Sequence, residues 1–191
     1  MSKEQIRAIG IDDAPFKFSQ EDVLVVGSVV RAPNYLEGIL STEVKVDGED
    51  ATEKLVKMIS DSRFVDQANI IFLDGAAVGG FNLVDIEKLS ESVGVPSVTI
   101  SREKPDFEKI KEAMKGHFDE WEKRFDQMKS GNLHKIKTEH KPIYIQKEDL
   151  TIKEVKELVD LFTVRGRLPE PVRISHIVAS GIVRGESQGK P

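Results

Sequence analysis

Residues 23–46, VLVVGSVVRAPNYLEGILSTEVKV, decide how the rest of the chain is to be read. Val23 to Val30 is a β-branched run, and Leu36 to Val46 has β character towards its end, so both predict strands. The five residues between them, Arg31 to Tyr35, are short enough for a hairpin. Upstream, IRAIGID predicts a strand over Ile6 to Ile11 that runs into Asp12 and Asp13. The chain therefore opens with three antiparallel strands.

Downstream the period changes. Leu55, Val56, Met58 and Ile59 share a helical face, with Asp50 or Thr52 as cap. ANIIFLD reads as a buried strand ending at Asp74, then GAAVGG as a loop and Asn82 to Ser92 as a helix that Gly94 and Pro96 stop. PSVTIS predicts the next strand and residues 105–130 one or two amphipathic helices. The order β-β-β-α-β-α-β-α predicts a ribonuclease H-like α/β fold: a mixed five-stranded sheet, three antiparallel strands then parallel β-α units, with helices on both faces. In the last sixty residues, NLHKIK and PIYIQ read as short strands and LTIKEVKELVDLFT as a helix capped by Thr151. VRISHIVASGIV reads as a helix whose shared face is Ile174, Ile177, Val178 and Ile182, and ESQGKP as disordered. A single domain over residues 1–191 is expected, with a basic extension from about residue 163.

Composition narrows the functional classes. The 191 residues are 39% hydrophobic and 32% charged with no cysteine, so there is a core to build but no disulfide scaffold or thiol nucleophile. There is no apolar run long enough for a membrane span and no secretory h-region, so a cytoplasmic protein is expected. From Thr163 onward five Lys/Arg face two Asp/Glu, a net +3, and the total of −5 leaves −8 on the first 162 residues. An acidic body with a basic tail suits a metal-dependent enzyme of phosphate chemistry, carboxylates holding the metal and the tail the polyanion. His117, His134, His140 and His176 have no zinc spacing, and neither a GxSxG elbow nor a P-loop is present.

Acids gather at strand ends. Asp12 and Asp13 follow the first strand, Asp47 and Asp50 the third, and Asp74 closes the fourth. Ligand sites of open sheets collect at the carboxyl ends of parallel strands. There Asp12 and Asp74 would be neighbours, and alternation favours Asp12 over Asp13 as the one that points with Asp74. Clustered carboxylates call for a hard divalent cation, Mg²⁺ with Mn²⁺ as substitute. Asp12, Asp74 and Asp50 are the catalytic candidates, with Asp13 and Asp47 as further metal ligands. Gly75, Gly79 and Gly80 allow backbone to approach a ligand, and amides near Asn82 could bind a phosphate or a base edge. Arg102, Arg173 and His176 are candidates for substrate contact, and Tyr35 and Phe81 for stacking on a base.

The segments IGIDDAPF, VVRAPNYLEGIL, VDGEDATEKLVKMI, FLDGAAVGGFNLVDIEKL, GVPSVTISREKPD and PEPVRISHIVASGIVRGESQG resemble, in this order, the archaeal endonuclease dU family, a relative of endonuclease V. The resemblance implies a metal-dependent endonuclease acting on DNA with deaminated bases, deoxyuridine in particular and deoxyinosine as an option. Endonuclease V has an Asp on its first strand, a Glu before its first helix and an Asp ending its fourth strand. Asp12 and Asp74 match the first and third, whereas the middle position departs, with Asp50, Asp47 and Glu53 as its candidates in that order. Two rivals remain from sequence: a non-cleaving module that binds nucleic acid or protein on the same sheet, and a phosphotransferase using Asp12, which lacks the DxDx[TV] spacing.

Overall fold

The structure is a computed structural model and describes residues 5–188. Of the tail ESQGKP, residues 189–191 lie outside the described residues. β1 (Arg7–Asp13), β2 (Asp22–Arg31) and β3 (Tyr35–Lys45) form the expected antiparallel meander, and α1 (Ala51–Ser60) follows. β4 (Ile70–Asp74) pairs parallel with β1, and β7 (Ser97–Ser101) parallel with β4. Between them lie the two-residue strands β5 (Ala77–Val78) and β6 (Asn82–Leu83), which pair with each other, and α2 (Ile86–Val93). Two helices, α3 (Phe107–His117) and α4 (Trp121–Lys129), lead into β8 (His134–Ile136) and β9 (Ile143–Lys147). The chain finishes with α5 (Ile152–Phe162) and α6 (Glu170–Arg184).

The sheet has seven strands in the order β3-β2-β1-β4-β7-β9-β8. The five expected strands are present, and β9 and β8 extend them antiparallel beyond β7. Alternation divides the core in two. Ile9, Ile11, Ile71 and Leu73 pack with Leu55 and Ile59 of α1 and Leu89 of α2. On the other face, Ala8, Ile70, Phe72, Val98 and Ile100 pack with Val155, Val159 and Phe162 of α5 and Val172 of α6. α5 starts with a capping box, in which Thr151 and Glu154 satisfy each other's backbone amides.

Two expectations need correction. The helix expected from Asn82 begins at Ile86, where Asp85 caps it by accepting from Lys88 N. Asn82 is instead drawn into the start of α1: its Oδ1 accepts from Ala51 N, and its Nδ2 donates to Lys45 O and Asp50 Oδ1. The inward face of α6 is also different. Pro171, Val172, Ser175, Ala179 and Ser180 are buried, while Ile182 is 62% exposed.

The reason lies at Gly10. A Cβ there would stand 2.1 Å from the carbonyl carbon of Pro171, so α6 rests directly on the β1 backbone. Ser175 Oγ accepts from Ser28 N at 2.9 Å and donates to Gly10 O at 2.7 Å, and Ser28 Oγ donates to Pro171 O at 2.6 Å. Small side chains and hydroxyls suit so close a contact, and long apolar ones do not. Gly10→Ala must force backbone apart and should cost about 3 kcal/mol; an unchanged urea midpoint would contradict this contact.

Candidate metal centre

β1 and β4 are in register, with Gly10 opposite Phe72 and Ile11 opposite Leu73, so Asp12 and Asp74 follow at the carboxyl ends of neighbouring parallel strands. Both fall on the face covered by α5 and α6, because they keep step with Gly10 and Phe72. His176 follows Ser175, the residue that pins α6 to the sheet, and its Nδ1 lies 2.8 Å from Asp12 Oδ2. One ligand-type atom from each of Asp12, Asp74 and His176 lies within 4.8 Å of the others.

Burial sets the electrostatics. Desolvation raises the pKa of Asp12; the neighbouring charge of Asp74 raises it further, while the His176 hydrogen bond opposes both. Asp74 is raised by desolvation too, with Arg102 opposing; one Arg102 nitrogen lies 3.9 Å from Asp74 Oδ2. The hydrogen bond to Asp12 raises His176 above the ordinary histidine value. Asp13 points to the opposite face, where its Oδ2 accepts from Gly79 N, and burial pushes it up to about 6.

The donor set fits a divalent cation. A buried carboxylate, Asp12, and a half-buried one, Asp74, supply hard oxygen ligands and His176 an imidazole. When Asp12 is ionised and a neutral His176 donates to it from Nδ1, the lone pair of the ring sits on Nε2. That atom is buried and has no hydrogen-bond partner among the described residues. A cation there would compensate the desolvation that raises both carboxylates.

The other sequence candidates lie elsewhere. Asp50, expected as the third acid, accepts from Lys45 N and Asn82 Nδ2, and Asp47, at φ +55°, accepts from Phe81 N. Neither joins the cluster; both fix the turn between β3 and α1. Gly79 and Gly80 have positive φ, but the groups they approach are the protein's own: a Cβ would meet Val23 at 2.7 Å from Gly79 and Asp47 at 2.3 Å from Gly80. Their loop is folded down on Asp13 and Asp47 rather than held open for a phosphate. Gly75, at φ +81° beside Asp74, does face open space. Asn82 is fully buried, its amide engaged at the start of α1.

Tyr35 is at the wrong end for a base contact. It pairs with Arg31, and Arg31 with Arg7, so it is level with the start of β1, roughly 16 Å along the strand from Asp12. Arg31 stacks on its ring instead, 4.9 Å from the centroid. Arg173 is held in a double hydrogen bond by the buried Glu170. His176, read from sequence as a substrate contact, is the cluster's third member; its spacing from Asp12, 164 residues along the chain, carries no local motif.

The model of the family described as endonuclease dU matches residues 4–183. The chain belongs to the endonuclease dU family. Among curated family relatives, a UPF0215 protein of Methanothermobacter thermautotrophicus is 45% identical over 189 residues, 98% of this chain and 92% of the relative. The crystal structure of a protein of unknown function from Archaeoglobus fulgidus has a TM-score of 0.84 at 42% identity, covering 93% of this chain and 98% of that one. Endonuclease V of Ciona intestinalis, solved with a 24mer DNA containing an inosine followed by a ribo-adenosine, has a TM-score of 0.63 at 12% identity, covering 94% and 87%. This family member therefore has the ribonuclease H-like fold seen in endonuclease V. None of its described helices is long and apolar enough to cross a membrane.

Two measurements test this centre. Mn²⁺ should raise the melting temperature in a concentration-dependent way. Asp74→Asn and His176→Ala should lose the shift and Asp50→Asn should retain it; the reverse pattern would move the ion to the β3–α1 turn. Asp13 ionises near 3.8 unfolded and about 6 folded. Its stabilising contribution is intact below about pH 3.8 and is lost as pH rises through 6, at a full cost of about 3 kcal/mol. In chelator, Asp13→Asn should therefore gain stability over the parent at pH 8 and little at pH 4, read from urea midpoints.

Proposed function

We propose that this endonuclease dU member is a divalent-metal-dependent endonuclease that nicks DNA at deaminated bases, deoxyuridine first and deoxyinosine second. The observation that carries the reading is the pair of carboxylates, one buried and one half-buried, on adjacent parallel strands, joined by an imidazole with an unpartnered nitrogen. Family membership supports the nuclease class, and the fold shared with endonuclease V supports a nucleic-acid substrate.

Asp12, Asp74 and a ring nitrogen of His176 would hold Mg²⁺ or Mn²⁺. Such an ion supplies Lewis-acid polarisation of a phosphodiester and activation of water. Asp12 also fixes the place of His176 through its hydrogen bond with Nδ1. Arg102, beside Asp74 at the end of β7, adds positive charge where a phosphate would lie. The target base has to leave the stack, which costs a few kcal/mol, roughly, and least for a mispaired base such as uracil opposite guanine.

The rival reading, a module that binds without cutting, is favoured by one observation: the cluster holds two carboxylates rather than three. A labelled duplex with a single uracil separates the two. Cleavage should require Mg²⁺ or Mn²⁺, stop with chelator, and fall at least about a hundredfold in Asp12→Asn and Asp74→Asn. Binding that survives with no cleavage in any metal would establish the module instead.

A further inference from the structure

We propose that a cavity of about 290 Å³ on the opposite side of the β4–β7 tips receives the extruded base, and that Thr99 and Gln146 read its deaminated edge. The inference rests on the endonuclease reading and names where and how that enzyme would recognise its lesion. Ala76, Phe107, Met128 and Leu133 give the cavity apolar walls. Ala76 is two residues beyond Asp74, and Leu73 pairs with Thr99, so cavity and acid cluster share the same strand ends. A nucleotide crossing those tips can present its phosphate to one face and its base to the other. The volume suits one base.

Thr99 and Gln146 are cross-strand partners on β7 and β9, both line the cavity, and they are only 4% and 7% exposed. The hydrogen-bonding role of each is dictated by its protein partners. Both hydrogens of the Gln146 amide are committed, to Met128 O and Gly131 O, each at 3.0 Å. What Gln146 has left to offer is Oε1, an acceptor. Gly131 allows this packing, since a Cβ there would stand 2.9 Å from Gln146 Nε2. Thr99 Oγ1 accepts from Gln146 N at 3.1 Å, which leaves its own hydrogen to donate.

A fixed acceptor beside a donor is the complement of a lactam. Uracil presents N3–H next to a C4 carbonyl, and hypoxanthine presents N1–H next to a C6 carbonyl. Cytosine and adenine present the reverse, a ring nitrogen acceptor next to an amino donor. Deamination inverts both groups together, so the Thr99–Gln146 pair matches the product and mismatches both parent bases. Thymine has the same edge as uracil with a 5-methyl group; its sound pair with adenine makes it costly to extrude.

The test is binding in chelator, where nothing is cut, of a labelled duplex with one U·G mispair against the same duplex with C·G. Thr99→Val and Gln146→Leu should each weaken U·G binding about tenfold and leave C·G binding unchanged. Thr99→Ser, which keeps the hydroxyl, should keep the preference of the parent protein. Equal loss on both duplexes, or an unaltered preference in Thr99→Val, would overturn the base-reading role. Because the readout is affinity, absence of nicking by the parent would sink the endonuclease reading and leave this result standing. Nicking with an unaltered preference in Thr99→Val would do the opposite.

Discussion

The seating of α6 on the bare backbone of β1 is the contact on which the site depends. Gly10 leaves no side chain between them, and Ser175 links the main chains of β1 and β2 through one hydroxyl. The next residue along α6 is His176 and the second residue past Gly10 is Asp12, so the contact that docks the helix also sets their 2.8 Å approach. Each buried hydroxyl at this contact has partners, which keeps a polar helix–sheet contact from becoming a desolvation penalty. Long apolar residues of α6, Ile182 and Val183 among them, are left facing solvent as a consequence.

At the strand ends, the protein holds carboxylates where water would serve them better. Asp12, Asp13 and Asp74 are all raised, with burial as the first cause in each case. Such groups lower the stability of the folded chain at neutral pH unless a counter-charge compensates, the pattern of a site kept for function rather than for stability. Alternation along β1 sends the two adjacent acids to different tasks. Asp12 goes to the α6 side and the cluster, whereas Asp13 ties down the glycine loop through Gly79 N. That loop is built to satisfy acids of its own chain, and Gly79 and Gly80 have positive φ and almost no free space.

Much of this was legible along the chain. β-branched runs, the short connection at Arg31 to Tyr35, and the change to a helical period named β1 to β4 and β7 and placed Asp12 and Asp74 on neighbouring strands. Local hydrogen bonds that override pattern were not legible. Asn82 looks like the start of a helix but serves the start of α1, and Asp50 looks like a ligand but closes the same turn. Ser175 reads as polar, so hydrophobic periodicity turned α6 the wrong way round. Tyr35 reads as a base contact, yet the antiparallel meander itself puts the β2–β3 hairpin at the end of the sheet opposite Asp12.

Sequence by itself determined the strand and helix periods, the parity that puts Asp12 and Asp74 on one face, and the motifs shared with endonuclease dU. These are properties of short segments, where side-chain spacing dictates which way a residue points. Only the tertiary structure decided that His176 completes the cluster and that Asp47 and Asp50 do not. It also decided that β7 and β9 bring Thr99 against Gln146. Those pairings join residues far apart in the chain: the close approach at Gly10 sets the first and the β7–β9 ladder the last.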